Sequence, residues 1–170
     1  EGAWFAQNGF DGTAPLRYEL YQEVFIPDDT NQVTFQWSER IEWDFVSFCD
    51  ECTEPRIYQV QVQPEGGGTP LEILFEMQLE PMTTGDTGYV DHAVDMTAYA
   101  GQTVRLNFYQ EINESFTGLA QINIDAARLI CNSDAMFTVL FGSDVDNMTA
   151  LCTTTDRFCD PGMLAPDTTY

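Results

Sequence analysis

The chain predicts an all-β fold, an antiparallel sandwich, on three observations. Apolar and polar residues alternate along one stretch after another, clusters of turn-forming residues separate those stretches, and no window carries the apolar spacing of an amphipathic helix. The first clear strand is YELYQEVFI, residues 18–26, with Tyr18, Leu20, Val24 and Ile26 on alternate positions and a stop at Pro27-Asp28-Asp29. The second is VTFQWSERIEW, residues 33–43, where Val33, Phe35 and Trp37 share a face, which places Trp37 in the core. Residues 56–79 read as two strands joined by a hairpin loop, Pro64 to Pro70, that contains Gly66-Gly67-Gly68. After the turn TTGDTG come the strand YVDHAVDM, a short helical turn in DMTAYAG, the strand TVRLNF and a last long strand, AQINIDAARLIC. Beyond Cys131 the register changes. A strand centred on Val139, a turn at GSDVDN and a strand around Leu151 make a piece too short to form a domain alone. The expected organisation is therefore a sandwich over residues 1–132 and a short β extension over 133–170.

Composition narrows the partners. Against 28 acidic residues stand six cations, all arginine, for a formal charge of −22 in 170 residues. Such a field repels nucleic acid and anionic membranes, and no apolar run reaches the ~18 residues that a membrane-spanning helix needs. A lysine-free acidic surface fits a saline habitat, where screening shortens self-repulsion, or a protein with many cation sites. The first residues lack the basic and apolar regions of a leader, so the chain is expected to be the processed part of an exported protein, extracellular or on the cell surface. Its cysteines, at 49, 52, 131, 152 and 159, fit exported disulfides better than zinc, because no second CxxC or histidine pair accompanies Cys49-Asp50-Glu51-Cys52. Cys49 with Cys52, and Cys152 with Cys159 across a turn-rich loop, are the expected pairs, leaving Cys131 over.

The run DTGYVDHAVDMTAYAGQTVRLNF, followed by INESFTGLAQINIDAARL, resembles the C-terminal half of the calcium-associated jelly rolls of secreted bacterial proteins. That group includes carbohydrate-binding modules, MAM-like domains and cleaved-adhesin domains. The resemblance covers about residues 14–131 and implies a jelly-roll sandwich. It also implies a structural calcium held by a last-strand aspartate, Asp125, and by oxygens of an N-terminal loop, Asn8 and Asp11 of QNGFDGTA; where the family often places a second acid, this chain has Ala126. The segments FTVLFGSDVDNMTALC and CDPGMLAPDTTY look like the middle strands of a fibronectin type III-like module that lacks its neighbouring strands.

Candidate chemistry is sparse. The single histidine, His92, alternates with Val90 and Val94 and is expected to pack on a sheet. The serines have no nucleophile-elbow context, and acid pairs such as Glu39 with Glu42 or Asp91 with Asp95 arise by chance in so acidic a chain. A glycan surface requires exposed rings beside carboxylates and amides. Trp43 and Phe45, set among Arg40, Glu42 and Asp44, together with Tyr89 and Tyr109, are the candidates. The expected function is a non-catalytic binding or adhesion module for a glycan or a surface protein, with calcium as cofactor. The alternative is a subunit of an extracellular filament or surface layer, in which the C-terminal segment pairs strands with other copies of the chain.

Overall fold

In a computed structural model, residues 5–9, 16–47, 52–114, 118–133, 137–141 and 149–154 are described, the last two stretches as backbone strands alone. The elements in chain order are β1 (Ala6–Gly9), β2 (Leu16–Phe25), β3 (Thr30–Asp44), β4 (Arg56–Pro64), β5 (Glu72–Leu79), β6 (Thr84–Asp86), β7 (Val90–Asp95), a single 3-10 turn (Thr97–Tyr99), β8 (Thr103–Ile112), β9 (Ala120–Ser133), β10 (Phe137–Phe141) and β11 (Thr149–Thr154). The expected helical turn before TVRLNF is that 3-10 turn. β1 falls where an N-terminal loop was expected: AQNG is too short and too polar to signal a strand, and it is held by pairing with Gln121–Ile124.

Two antiparallel sheets face each other. One runs β1-β9-β3 and continues with β6 and β7 along the far edge of β3; the other runs β2-β8-β4-β5. β6 pairs with Glu42–Asp44 and β7 with Thr34–Glu39, so together they form one strand interrupted at Thr87–Tyr89. The break is stitched to Ile41, whose carbonyl accepts from the Thr87 N–H at 3.0 Å and whose N–H donates to the Thr87 hydroxyl at 2.9 Å. Counted so, every strand pairs with the neighbours that a jelly roll requires, four to a sheet. β10 and β11 pair only with each other among the described residues, as a separate two-stranded ribbon.

Alternation puts Val33, Phe35, Trp37 and Ile41 of β3 against Tyr58, Val60 and Val62 of β4 and Val104, Leu106 and Phe108 of β8. Phe35 and Trp37 stack at 5.1 Å, and Phe108 meets the Trp37 ring edge-on. At one end of this core lies a buried arginine. The Arg56 guanidinium donates to Glu114 and to the carbonyls of Leu119 and Gly118, and stacks 4.1 Å above the Phe45 ring. It ties the start of β4 to the segment that leads into β9.

Candidate ligand-binding face

The outward side of β2-β8-β4-β5 is built by register. Tyr21, Asn107, Gln61 and Ile73 lie in one row across the four strands, Glu19, Tyr109, Gln59 and Glu76 in the next, and Glu23, Arg105 and Gln63 in a third. The sequence QVQVQ at 59–63 dictates the middle of this face, since its valines point into the core and its glutamines out. Gln63 donates to Gln61 at 2.8 Å, Gln61 to Gln59 at 2.6 Å, and Gln59 to Glu76. Asn107, 0% exposed, also donates to Gln61, at 3.2 Å. The amide oxygens of Gln63 and Asn107 and the Nε of Arg105 are buried without a hydrogen-bond partner. Each such group carries a desolvation cost of about 1–3 kcal/mol.

The Pro64–Pro70 loop closes one end of the face. The Gly66 N–H donates to Glu23 at 2.9 Å on the opposite edge strand, so the loop reaches over Arg105, whose guanidinium also donates to Glu23 at 2.8 Å and lies 3.9 Å above the Tyr21 ring. Only glycine fits at 67, where φ is +85° and a Cβ would come within 2.4 Å of the Arg105 guanidinium. Tyr21 is 52% exposed, with Leu71 and Ile73 also open to solvent. Tyr109 donates to Glu111, and partial burial beside that carboxylate pushes its hydroxyl up to about 12.

The other expected ligand residues do not gather here. Phe45 is 0% exposed beneath Arg56 and leaves the set, because a core ring offers no surface to a sugar. Trp43 is half-buried at the sandwich end, its ring lying over Gly85 where a Cβ would clash at 2.4 Å, and its indole N–H donates to Thr83 at 3.0 Å. Tyr89 is exposed beside the other sheet. Trp43, Tyr89 and Tyr109 therefore form no common surface. Tyr21 and the glutamine ladder were missed, although the QVQVQ alternation could have revealed the ladder.

The expected calcium ligands do not converge either. Asn8 pairs with Ile122 and donates inward to Gln110 of the other sheet, whereas Asp125 pairs with Ser38 on the outward face. The two side chains therefore stand on opposite faces of the sheet, and Asp11 lies outside the described residues. Among the described residues no three metal-ligating side chains cluster. Of the cysteines, Cys131 is a free thiol and Cys52 is not. Cys49 and Cys159 lie outside the described residues, and Cys152 is described only as backbone.

One polar cluster lies inside the sandwich. Glu39 faces inward from β3 and is 2% exposed. Its carboxylate accepts from the Trp37 indole N–H at 3.0 Å and lies 3.2 Å from His92 Nε2, without the alignment of a hydrogen bond. The Tyr58 hydroxyl faces it from the other sheet, close enough to favour the charged carboxylate yet also without good hydrogen-bond geometry. Burial dominates and raises the Glu39 carboxyl above the ordinary carboxylate range; burial likewise raises Tyr58, with the Glu39 charge adding to it. The His92 ring stacks on Trp37 at 4.7 Å and meets Phe75 at 4.6 Å.

No protein-family model matches this chain, and a search of curated proteins returns no significant match.

Proposed function

We propose that this chain is a non-catalytic extracellular binding module, and that its ligand is a glycan held on the outward face of β2-β8-β4-β5. The observation that carries the reading is the exposed, arginine-backed Tyr21 beside a ladder of amides, Gln59, Gln61, Gln63 and Asn107, fixed by their own hydrogen bonds. Sugar C–H faces pack on tyrosine rings, and sugar hydroxyls bond to amides and carboxylates of the kind that flank Tyr21. Glu19, Glu23, Glu76 and Glu111 outnumber Arg17 and Arg105 on that face, which selects a neutral glycan over an acidic one. A glycan array followed by titration tests this. Tyr21→Ala and Tyr109→Ala should each weaken binding about tenfold, ~1.4 kcal/mol, while Trp43→Ala and Tyr89→Ala leave it unchanged. Loss confined to the second pair would move the site to the other sheet, and an array blank for wild type would end the glycan reading.

A structural calcium and the Cys49–Cys52 and Cys152–Cys159 bridges belong to the same proposal. The ion's expected ligand among the described residues is Asp125, Asn8 being turned inward. At a hundredfold excess over its dissociation constant, calcium should stabilise the fold by ~2.7 kcal/mol. The measurement is melting in calcium against EDTA, with Asp125→Ala reproducing the EDTA curve. Coincident curves would remove the metal.

A second reading, assembly into an extracellular filament or surface layer, is favoured by one observation: β10 and β11 belong to neither sandwich sheet.

A further inference from the structure

Arg17 and Arg105, the cations of the candidate face, both meet carboxylates of the chain itself, but in different ways. Arg17 is largely exposed and lies 3.6 Å from Glu111, a pairing of the kind that contributes little in water. Arg105 is held on three sides. Its guanidinium lies 3.9 Å above the Tyr21 ring, Gly67 passes so close that a Cβ there would come within 2.4 Å of it, and Nη2 donates to Glu23 Oε1 at 2.8 Å. The same Glu23 oxygen accepts from the Gly66 N–H at 2.9 Å. Donors from β8 and from the Pro64–Pro70 loop thus converge on one carboxylate oxygen supplied by β2. The contact is open to solvent on its carboxylate side, the Glu23 side chain being 40% exposed against 15% for Arg105. The Arg105 hydrogen bond first, and the Gly66 N–H after it, hold the Glu23 carboxyl below the ordinary carboxylate range, so the group is charged at neutral pH.

We infer that Glu23 is the specificity-determining residue of this face: its carboxylate fills an anion-accepting position between the Arg105 guanidinium and the Gly66 N–H, and so keeps out the carboxylate of an acidic sugar. The inference rests on the reading of this face as glycan-binding and names the residue that turns acidic ligands away. A cationic fork with a backbone N–H beside it is what recognises a carboxylate. Truncating Glu23 leaves both donors where they are. Tyr21 and Gly67 flank the guanidinium independently of Glu23, and the loop is closed by its own bonds, Gly67 N–H to the Pro64 carbonyl at 2.9 Å and Leu71 N–H to that of Val62 at 2.7 Å. Tyr21 and Glu23 stand two residues apart on one face of β2, ~7 Å at the usual strand rise. A pyranose resting against the Tyr21 ring can therefore set its own carboxylate where that of Glu23 lies. The overall charge of −22 does not supply this selectivity, because it is screened beyond ~8 Å at physiological salt, whereas Glu23 acts by occupying the position.

The test uses the full chain, with sodium glucuronate, glucose and sodium acetate as probes and the ionic strength held by NaCl. In calorimetric titration Glu23→Ala should bind glucuronate about tenfold more tightly than wild type does, and more tightly than it binds glucose. Glu23→Gln keeps an acceptor for the Gly66 N–H, and with it the loop, and should show the same order of probes with a smaller gain. Glu54→Ala makes the same change in net charge as Glu23→Ala, in the exposed segment before β4, and should gain nothing. Arg105→Met added to Glu23→Ala should abolish the gain. No gain in either Glu23 variant, or a gain that Glu54→Ala shares or that survives the loss of Arg105, overturns the inference while leaving a neutral-glycan site standing. A gain for acetate as large as that for glucuronate removes the sugar instead, and with it the glycan reading of the face, because Tyr21 then contributes nothing.

Discussion

Arg56→Ala is expected to be the most damaging single substitution in the sandwich, costing about 3–5 kcal/mol. Arg56 is wholly buried; its charge is met by the Glu114 carboxylate, and its other donors by two backbone carbonyls on the way into β9. Truncation takes the guanidinium away from the nearly buried Glu114 carboxylate, removes the Arg56 donor to the Gly118 carbonyl and one of the two donors to that of Leu119, which keeps the Asp44 N–H, and removes the cation from above Phe45. Urea unfolding read at equal slope should show the loss as a lower midpoint. Arg56→Met separates packing from charge, since it keeps the side-chain stem on Phe45 and loses the pairing. Combined with Glu114→Gln it should recover part of the stability, because the nearly buried negative charge that faced the guanidinium is then gone. An Arg56→Ala protein within 1 kcal/mol of wild type would mean that water enters and satisfies the site.

The second large effect concerns Glu39, and its sign depends on the substitution. Glu39→Ala should destabilise by ~2 kcal/mol or more, because the Trp37 indole N–H loses its acceptor in the core and a cavity opens beside it. Glu39→Gln keeps an acceptor oxygen and removes the buried charge, so at neutral pH it should equal or exceed wild type. The pH dependence separates the two causes. Burial raises the folded-state carboxyl above its unfolded value of 4.5, so the native state holds the proton longer than the unfolded one. The Glu39 contribution to stability is therefore complete below the unfolded value, declines as pH climbs through the raised one, and is flat above it. The difference in unfolding free energy between wild type and Glu39→Gln, measured from pH 4 to 8, should fall across that window, the other carboxylates cancelling. A difference independent of pH would show that Glu39 titrates normally.

Strand content was legible because half-buried antiparallel strands write their inner face in alternation. Val33, Phe35 and Trp37 read as core and are core, and the hairpin at Pro64–Pro70 was marked by its glycines. Three features escaped for one physical reason, that alternation reports facing and not partners. Glu39 occupies an inward position in an otherwise apolar series and reads as a stray surface acid until His92 and Tyr58 are brought beside it by β7 and β4. Phe45 follows a run of charges and reads as exposed, but the chain turns there and lays it under Arg56, 11 residues further on. The glutamines of β4 read as ordinary solvent-facing polar residues; that they bond to one another and are themselves covered depends on β8 and β5.

The interruption between β6 and β7 has a role in this arrangement. In β6 the residue opposite Trp43 is Gly85, an odd position, whereas in β7 the residues opposite Trp37 and Phe35 are His92 and Val94, both even. Thr87–Tyr89 inserts one residue and thereby inverts the phase of everything after it. Were the strand to pair through Thr87–Tyr89 without bulging that residue out, Asp91 and Ala93 would stand opposite Trp37 and Phe35 and His92 would face outward. The interior imidazole is thus set by a count of residues rather than by the chemistry of its neighbours. A one-residue deletion at Gly88 would join β6 and β7 in one register and keep the histidine opposite Trp37, whereas a second inserted residue there would turn it outward and bring a carboxylate or an alanine in.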